Sequence, residues 1–417
     1  MLMSKKSPNE VFTPRAPQVN QRMYVQRQKL EERLIDAFNA NKYIVIHGES
    51  GNGKTWLYKK VFAENGIHFD VINLGQALTA GSLENAFTQK LGEWGYSQKV
   101  GQETNSSGGF KPAGIGVDHA LRTSQKFHET SPFLALLERV RFRAGNDRRA
   151  ALILDNFESI IGDPNSVKQI GGLIVSADDE SVAKYEVQVV IVGVPGNLKE
   201  TIVSLANSAP VSNRLTELPE VARMSNSEAT DLIRRGFVDE LRLNFADEVK
   251  PNKLYESICF YTDRIAQHIH ELCLIISQNA VRNGDTISAE VVDKSLATWT
   301  DDTLSSDSAV IEGVMNARET KAGRKNQVLY AMGVCKSEDF KYSDIEAIVR
   351  ENFDVEDSTL NVSQILSGFA SAQNPIIRRT PKQDAWRFVS PKFKMAIRSK
   401  MRKSEDNKVT FGPVRRG

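Results

Sequence analysis

Eight residues, Gly48-Glu49-Ser50-Gly51-Asn52-Gly53-Lys54-Thr55, constrain the fold of this 417-residue chain more than any other stretch. They read G-x-x-x-x-G-K-[ST], a loop that requires a strand before it and a helix after it. Both are predicted. Tyr43-Ile44-Val45-Ile46-His47 is a β-branched run suited to a buried strand, and Trp56 to Phe62 can continue as a helix. The glycines let successive N–H groups turn inward around phosphate oxygens, at a helix N-terminus whose partial positive charge favours an anion. Lys54 supplies a point charge for the β- and γ-phosphates, and Thr55 a hydroxyl for Mg²⁺. The eight residues from Gly48 to Thr55 are therefore the expected cradle for a nucleoside triphosphate with Mg²⁺.

Composition excludes several classes. Apolar and charged fractions of 40% and 25% are those of an ordinary globular protein. No apolar run approaches the roughly 18 residues of a membrane span. Met1 to Glu10 is polar, without the apolar block of a secretory signal. Cys259, Cys273 and Cys335 are odd in number, widely spaced and without histidine at ligand spacing, so they read as buried reduced thiols of a cytoplasmic protein. The net charge of +2 conceals an asymmetry. Ile376 to Gly417 holds thirteen Lys/Arg against three Asp/Glu, a balance of +10, which leaves −8 for the rest. A basic block on a mildly acidic chain points to a polyanionic partner or to a solvated charged tail.

The order of elements gives an α/β chain with further domains. Residues 1–20 read as a flexible arm, and 21–220 as the phosphate-loop core, with a mobile glycine- and serine-rich loop at 100–118. A helix is expected around Leu30, Leu34, Ile35 and Phe38, and another over Phe133–Phe142. Further strands are expected at Asp70–Leu74, Ala150–Leu154 and Val187–Val192. Strands alternating with helices imply a parallel sheet covered on both sides. Beyond Pro219 the strands of the sheet stop. Residues 221–300 read as an all-helical lid, with Ser225 or Ser227 as a cap, and Thr300 to Ser308 as an acidic linker. In 301–403, three helices (Asn326–Val334, Tyr342–Asn352, Leu360–Ala370) precede a hairpin, Ile376–Thr380 with Trp386–Val389. That is the winged-helix order. A basic helix from Pro391 to about Lys403 and a basic tail, 404–417, follow.

Hydrolysis needs a carboxylate at the end of a neighbouring strand to hold the Mg²⁺ water shell. Ala151-Leu152-Ile153-Leu154-Asp155 supplies one in Asp155. Glutamate is common at the next position as the group that polarises water, and here it is Asn156, which cannot act as a base. Glu158 is the nearest substitute, or else a plain helix-start residue. Arg214 follows the last sheet strand and precedes the lid, where a finger into a neighbour's γ-phosphate is usually found. Acting in trans, it requires an oligomer. Arg264 begins a lid helix and would reach the phosphates of its own nucleotide. Either arginine is alternatively an ordinary surface residue.

The Tyr24-Val25-Gln26-Arg27 lead-in, Gly48–Thr55, Asp155, Arg214, the lid with Arg264 and the winged helix together resemble an AAA+ ATPase. The branch they look like is that of the origin-recognition initiators and the bacterial transposition-helper ATPases, with the signalling STAND ATPases as a nearby alternative. The resemblance covers roughly residues 20–300, or to about 403 with the winged helix. It implies that Tyr24 and Val25 lie against the adenine ring and that Arg27 anchors that segment. Two departures, Asn156 and the lack of a polar residue at the tip Val192–Gly196 (Asn197 being displaced), imply slow turnover with binding intact. The expected function is a nucleotide-dependent switch, a slow ATP hydrolase that assembles on DNA or regulates factors there. DNA contact is expected from Arg378, Arg379, Arg387, Lys392, Lys394 and Arg398. Leu360–Ala370 offers Asn361, Ser363, Gln364 and Ser367 but no cation, so binding should be mostly sequence-independent and salt-sensitive. The alternative is a STAND-like signalling ATPase, as in bacterial defence, whose winged helix binds protein.

Overall fold

A computed structural model describes residues 6–96, 131–193, 198–206, 209–315, 323–355, 359–380 and 383–412. The expected loop at 100–118 and Asn197 lie outside them. Five strands form one parallel sheet: β1 (Tyr43–His47), β2 (His68–Asn73), β3 (Ala150–Asp155), β4 (Val187–Gly193) and β5 (Leu215–Glu217), in the order β2-β3-β4-β1-β5. All five residues of β1 are buried, as the apolar run demands of a strand covered on both faces. Val45, Leu152, Leu154, Val189 and Ile191 join a core on one face, and their neighbours Ile44, Ile153 and Val190 are equally buried. Helices Lys54–Glu64, Pro132–Ala144 and Pro164–Val175 are among the crossovers that parallel pairing requires.

Packing divides the chain into two bodies. One, Arg33–His47 with Val61–Leu218, holds the sheet. The other combines Met1–Glu32, Gly48–Lys60 and Pro219–Gly417. In this second body the lid helices Asn226–Arg234, Pro251–Tyr261 and Ala266–Arg282 share a continuous apolar core with Arg324–Val334, Tyr342–Asn352 and Val362–Ser371. Ser225 is the N-cap of the first, with a reciprocal capping box to Glu228. The wing is the antiparallel pair β8 (Ile377–Arg379) and β9 (Trp386–Phe388), extended by a bridge from Phe340 to Trp386.

Four sequence expectations are corrected. Pro8–Val11 is a helix, opened by a proline in its first turn and a Ser7–Glu10 capping box. Phe12 behind it is fully buried, edge-on to Phe237 at 5.4 Å and to His270 at 5.8 Å. A Cβ on Gly236 would stand 2.2 Å from the Phe12 ring, so the glycine makes the socket. The expected acidic linker Thr300–Ser308 is the middle of one 26-residue helix, Ala289–Val314. Trp299, Leu304, Ser308 and Ile311 carry one buried stripe through it while Asp301, Asp302 and Glu312 face outward. Beyond Pro219 strands do recur, as the two-residue parallel pair β6 (Asn244–Phe245) and β7 (Thr286–Ile287). The last helix, Pro391–Lys400, stops before Met401–Lys403, which pairs antiparallel with Val409–Phe411.

Candidate nucleotide-binding site

The loop after β1 is shaped by what packs on it. Gly48 has φ +150°, and a Cβ there would lie 2.4 Å from the Val221 carbonyl oxygen. A Cβ on Gly51 would meet Ile265 at 3.0 Å, and the Gly51 carbonyl accepts from the Gln267 N–H at 3.1 Å. Gly53 has open space and is needed for its φ of +93°. Helix Lys54–Glu64 starts at once, so the N–H groups of its first turn have no acceptor within the helix and are aimed as an anion site requires. Lys54 Nζ donates to the carbonyls of Gly48 (2.7 Å) and Glu49 (3.1 Å), on the same loop. Thr55 is half-buried one residue further. Glu49 and Asn52 are buried instead of pointing to solvent. Burial pushes the Glu49 carboxyl up, opposed by Arg378, whose Nη2 lies 3.2 Å from Glu49 Oε1. Asn52 Oδ1 has no hydrogen-bond partner among the described residues.

The lead-in segment is fastened to the same body. Arg27 Nη1 donates to the Ala222 carbonyl at 2.6 Å, one residue beyond the Val221 that covers Gly48. Tyr24 donates to Glu31 at 2.9 Å, with Lys60 Nζ 5.1 Å from its ring centroid, and Arg235 Nη1 donates to the Tyr24 carbonyl at 3.0 Å. Val25 packs on the apolar core.

In the sheet body, Asp155 ends β3 opposite Asn73 of β2 and accepts from the Asn156 N–H at 2.9 Å. Asn156 has φ +62°, a conformation that asparagine adopts far more readily than glutamate. Its amide donates to Asn73 Oδ1 at 2.9 Å, an oxygen that also accepts from the Gly75 N–H. Asn156 therefore clasps the tips of β2 and β3. Glu158 sits in the single 3₁₀ turn Phe157–Ser159, and its buried Oε2 has no partner among the described residues. An unsatisfied carboxylate oxygen is costly, which a plain helix-start residue does not explain.

Arg214 sits at the other edge of this sheet. Leu215 pairs with Tyr43 at the start of β1, so Arg214 lies beside residue 42, about 17 Å along the strand from the end of β1. It pairs with Asp178 at 2.7 Å.

Arg264 has φ +59° and donates to Asn226 Oδ1 at 2.9 Å, lining a cleft with Ser227, Thr230 and Arg398. Its neighbour Asp263, φ +48°, is buried under three cations: Arg223 at 2.6 Å, Arg398 at 2.9 Å and Lys394 at 3.5 Å. No local pattern announced this cluster.

The expected basic surface needs correction on this point. Lys394 and Arg398 face inward, because helix Pro391–Lys400 packs against Ala289–Val314 and Arg324–Val334. Burial pulls the Lys394 ammonium down to about 8, with Asp263 opposing. Arg387 is bound to Asp339 at 2.5 Å and Glu220 at 3.0 Å, and Lys392 donates to the Thr303 carbonyl at 3.4 Å. Arg378 and Arg379 are exposed on β8, and the Arg379 guanidinium lies 3.7 Å from the Trp386 ring centroid. The helix Val362–Ser371 exposes Ser363, Gln364 and Ser367.

The three cysteines are free and buried, Cys259 pushed up to about 11 by its burial, as expected of inert thiols. Among the described residues no group of three or more His, Cys, Asp or Glu could hold a metal, and no helix is long and apolar enough to cross a membrane.

No protein-family model and no curated protein matches the sequence. Solved structures do match. The ORC2 protein of Aeropyrum pernix, in ADPNP–ADP complexes, aligns over 94% of this chain and 96% of its own, at 15% identity and a TM-score of 0.52. The ORC1 protein of the same organism, in complex with DNA, aligns over 94% and 96% at 13% identity and a TM-score of 0.46. A Walker-type ATPase of Pyrococcus abyssi aligns over 90% and 96% at 12% identity and a TM-score of 0.46. At these identities the likeness speaks for the fold. With its 2-3-4-1-5 parallel sheet, phosphate loop after β1, helical lid and C-terminal region with small antiparallel hairpins, the chain has the AAA+ ATPase fold, as in the archaeal ORC2 protein.

Proposed function

We propose that this chain binds ATP through Gly48–Thr55 and acts as a slow, nucleotide-dependent AAA+ switch at DNA. The observation that carries the reading is the loop itself. Two of its glycines are held against the lid at Val221 and Ile265, with Lys54 and a helix N-terminus at the phosphate position. In functional terms, 21–220 is the core, 221–300 the lid and 301–403 the winged helix. Tyr24 and Val25 take the base side. Mg²⁺, which needs only one or two protein oxygens beside phosphates and water, would use Thr55 and Asp155 and neutralise developing phosphate charge. Asn156, committed to Asn73, leaves Glu158 to orient water, consistent with slow turnover. Arg214 acts on a neighbour's nucleotide, so turnover requires assembly. Arg264, which begins a lid helix, would reach the phosphates of the chain's own nucleotide. The exposed Arg378 and Arg379 favour contact with DNA.

A second reading, a signalling ATPase whose winged helix binds protein, draws support from Arg387, already paired with Glu220 and Asp339, and Arg398, already paired with Asp263. Size-exclusion chromatography with a non-hydrolysable ATP analogue, with and without duplex DNA, separates the two. Nucleotide-dependent assembly on DNA that weakens steeply with salt is the expected result. Assembly indifferent to DNA favours the second reading, and assembly unchanged by Lys54→Ala defeats both. In single-turnover assays Glu158→Gln should slow hydrolysis by about 10²-fold or more, the range of a positioned acid–base group. An unchanged rate removes Glu158 from the mechanism.

A further inference from the structure

The phosphate loop has two faces. Its glycine and N–H face is the expected phosphate cradle, whereas the side chains of Glu49 and Asn52 turn the other way. They enter a narrow cleft whose opposite wall is Asp263 of the lid with Arg387 and Phe388 of the wing. Arg378 on β8 closes over it, its Nη2 3.2 Å from Glu49 Oε1. The one charged side chain within Gly48–Gly53 is thus held by the wing hairpin, 329 residues away in sequence.

We propose that the Arg378–Glu49 pair is a latch that couples the nucleotide state of the loop to the attachment of the wing. This deepens the ATP-binding reading and rests on it. The direction follows from charge. Lys54 Nζ donates to the Gly48 and Glu49 carbonyls, and a bound phosphate competes for that ammonium, which loosens its hold on the backbone of Glu49 itself. A triphosphate also brings several negative charges beside a buried carboxylate that already has Glu338 and Glu220 as like-charged neighbours. Both changes weaken Glu49 as a partner for Arg378. Nucleotide binding therefore loosens the wing. By thermodynamic reciprocity, the latched wing lowers nucleotide affinity by the same factor. Arg378 is a positioning residue here, since it acts on the loop through Glu49.

Two measurements on the full-length chain test this: titration with a fluorescent ATP analogue, and amide hydrogen exchange across β8 and β9 with and without that analogue. Exchange in β8 should rise when the wild-type chain binds the analogue. Arg378→Ala should bind it about three- to fivefold tighter, the span of a partly exposed ion pair, and should show high exchange in β8 from the start. Arg378→Glu, which repels Glu49, should go at least as far. Glu49→Arg combined with Arg378→Glu should restore the response to nucleotide. Unchanged affinity in both Arg378 variants, or β8 exchange indifferent to bound nucleotide, overturns the latch while leaving ATP binding intact. A wild-type chain that binds no analogue, or a Lys54→Ala chain that binds it as well as wild type, sinks the ATP-binding reading and the latch with it.

Discussion

Replacing Asp263 by Asn removes one negative charge and little else. The side chain keeps its size, and asparagine accepts the φ of +48° as readily as aspartate does. Arg223, Arg398 and Lys394 all converge on Oδ1 of Asp263, at 2.6, 2.9 and 3.5 Å. Burial pushes the Asp263 carboxyl up, but Lys394, Arg398 and Arg223 outweigh it and hold the group below the usual range. At an effective dielectric of about 20, each contact near 4 Å is worth roughly 4 kcal/mol of gross attraction. Desolvation and mutual repulsion of the cations cancel most of it, and unpairing a buried charge usually costs about 3–5 kcal/mol net. Lys394 limits the loss. Its ammonium already sits near 8, so without Asp263 it gives up its proton at neutral pH at a cost of ~1.4 kcal/mol per pH unit. The expected loss is therefore ~3 kcal/mol at pH 7, or roughly 6–12 °C in Tm for a body of this size. The pH dependence is the sharper test. The folded Lys394 titrates near 8 and the unfolded one near 10.5, so the unfolded chain holds more protons between them and wild-type stability rises with pH there. In Asp263→Asn the folded value falls further and the rise starts earlier, so the gap between variant and wild type should shrink by pH 9.5. Scanning calorimetry at pH 7 and 9.5 measures both. A shift below 1 °C, or one equal at the two pH values, refutes the assignment of Asp263 as counter-ion to Lys394.

Two further outcomes are expected. His270 is buried between Phe12 and Trp56, accepts from the Thr13 N–H at 3.1 Å, and is pulled down to about 4 by burial. Its unfolded value is higher, so stability should fall as pH drops from 6.5 to 4, by up to about 3 kcal/mol, and His270→Gln should flatten that part of the profile in calorimetry. Phe12→Ala empties the socket over Gly236 and should cost about 3–5 kcal/mol. Deleting residues 1–20 should cost as much in urea unfolding, whereas an inert arm would change nothing.

The legible parts of this protein share a short range. Tyr43–Ile46 and Ala150–Leu154 are strands because every residue in them is apolar or aromatic, and Asp155 is recognisable because it ends such a run. Ser225 and Glu228 announce a helix start within four residues. The misses share a different origin. Thr300–Ser308 reads as an acidic linker until Leu304 and Ile311 are seen to continue the buried stripe of Trp299. Phe12 looks like part of a polar arm until Gly236, more than two hundred residues on, opens a place for its ring.

The sequence alone determined which loop is shaped for a phosphate and which fold could present it, because such a cradle is backbone geometry encoded by closely spaced glycines, a lysine and the flanking strand and helix. Only the tertiary structure decided what the charges do. Thirteen Lys/Arg against three Asp/Glu in the last 42 residues suggested a polyanion-binding surface. In the folded chain Lys394 and Arg398 answer to Asp263, Arg387 to Glu220 and Arg378 to Glu49. A charge finds its partner through space, across 131 to 329 residues for those with Asp263 and Glu49. Nothing in local spacing records that.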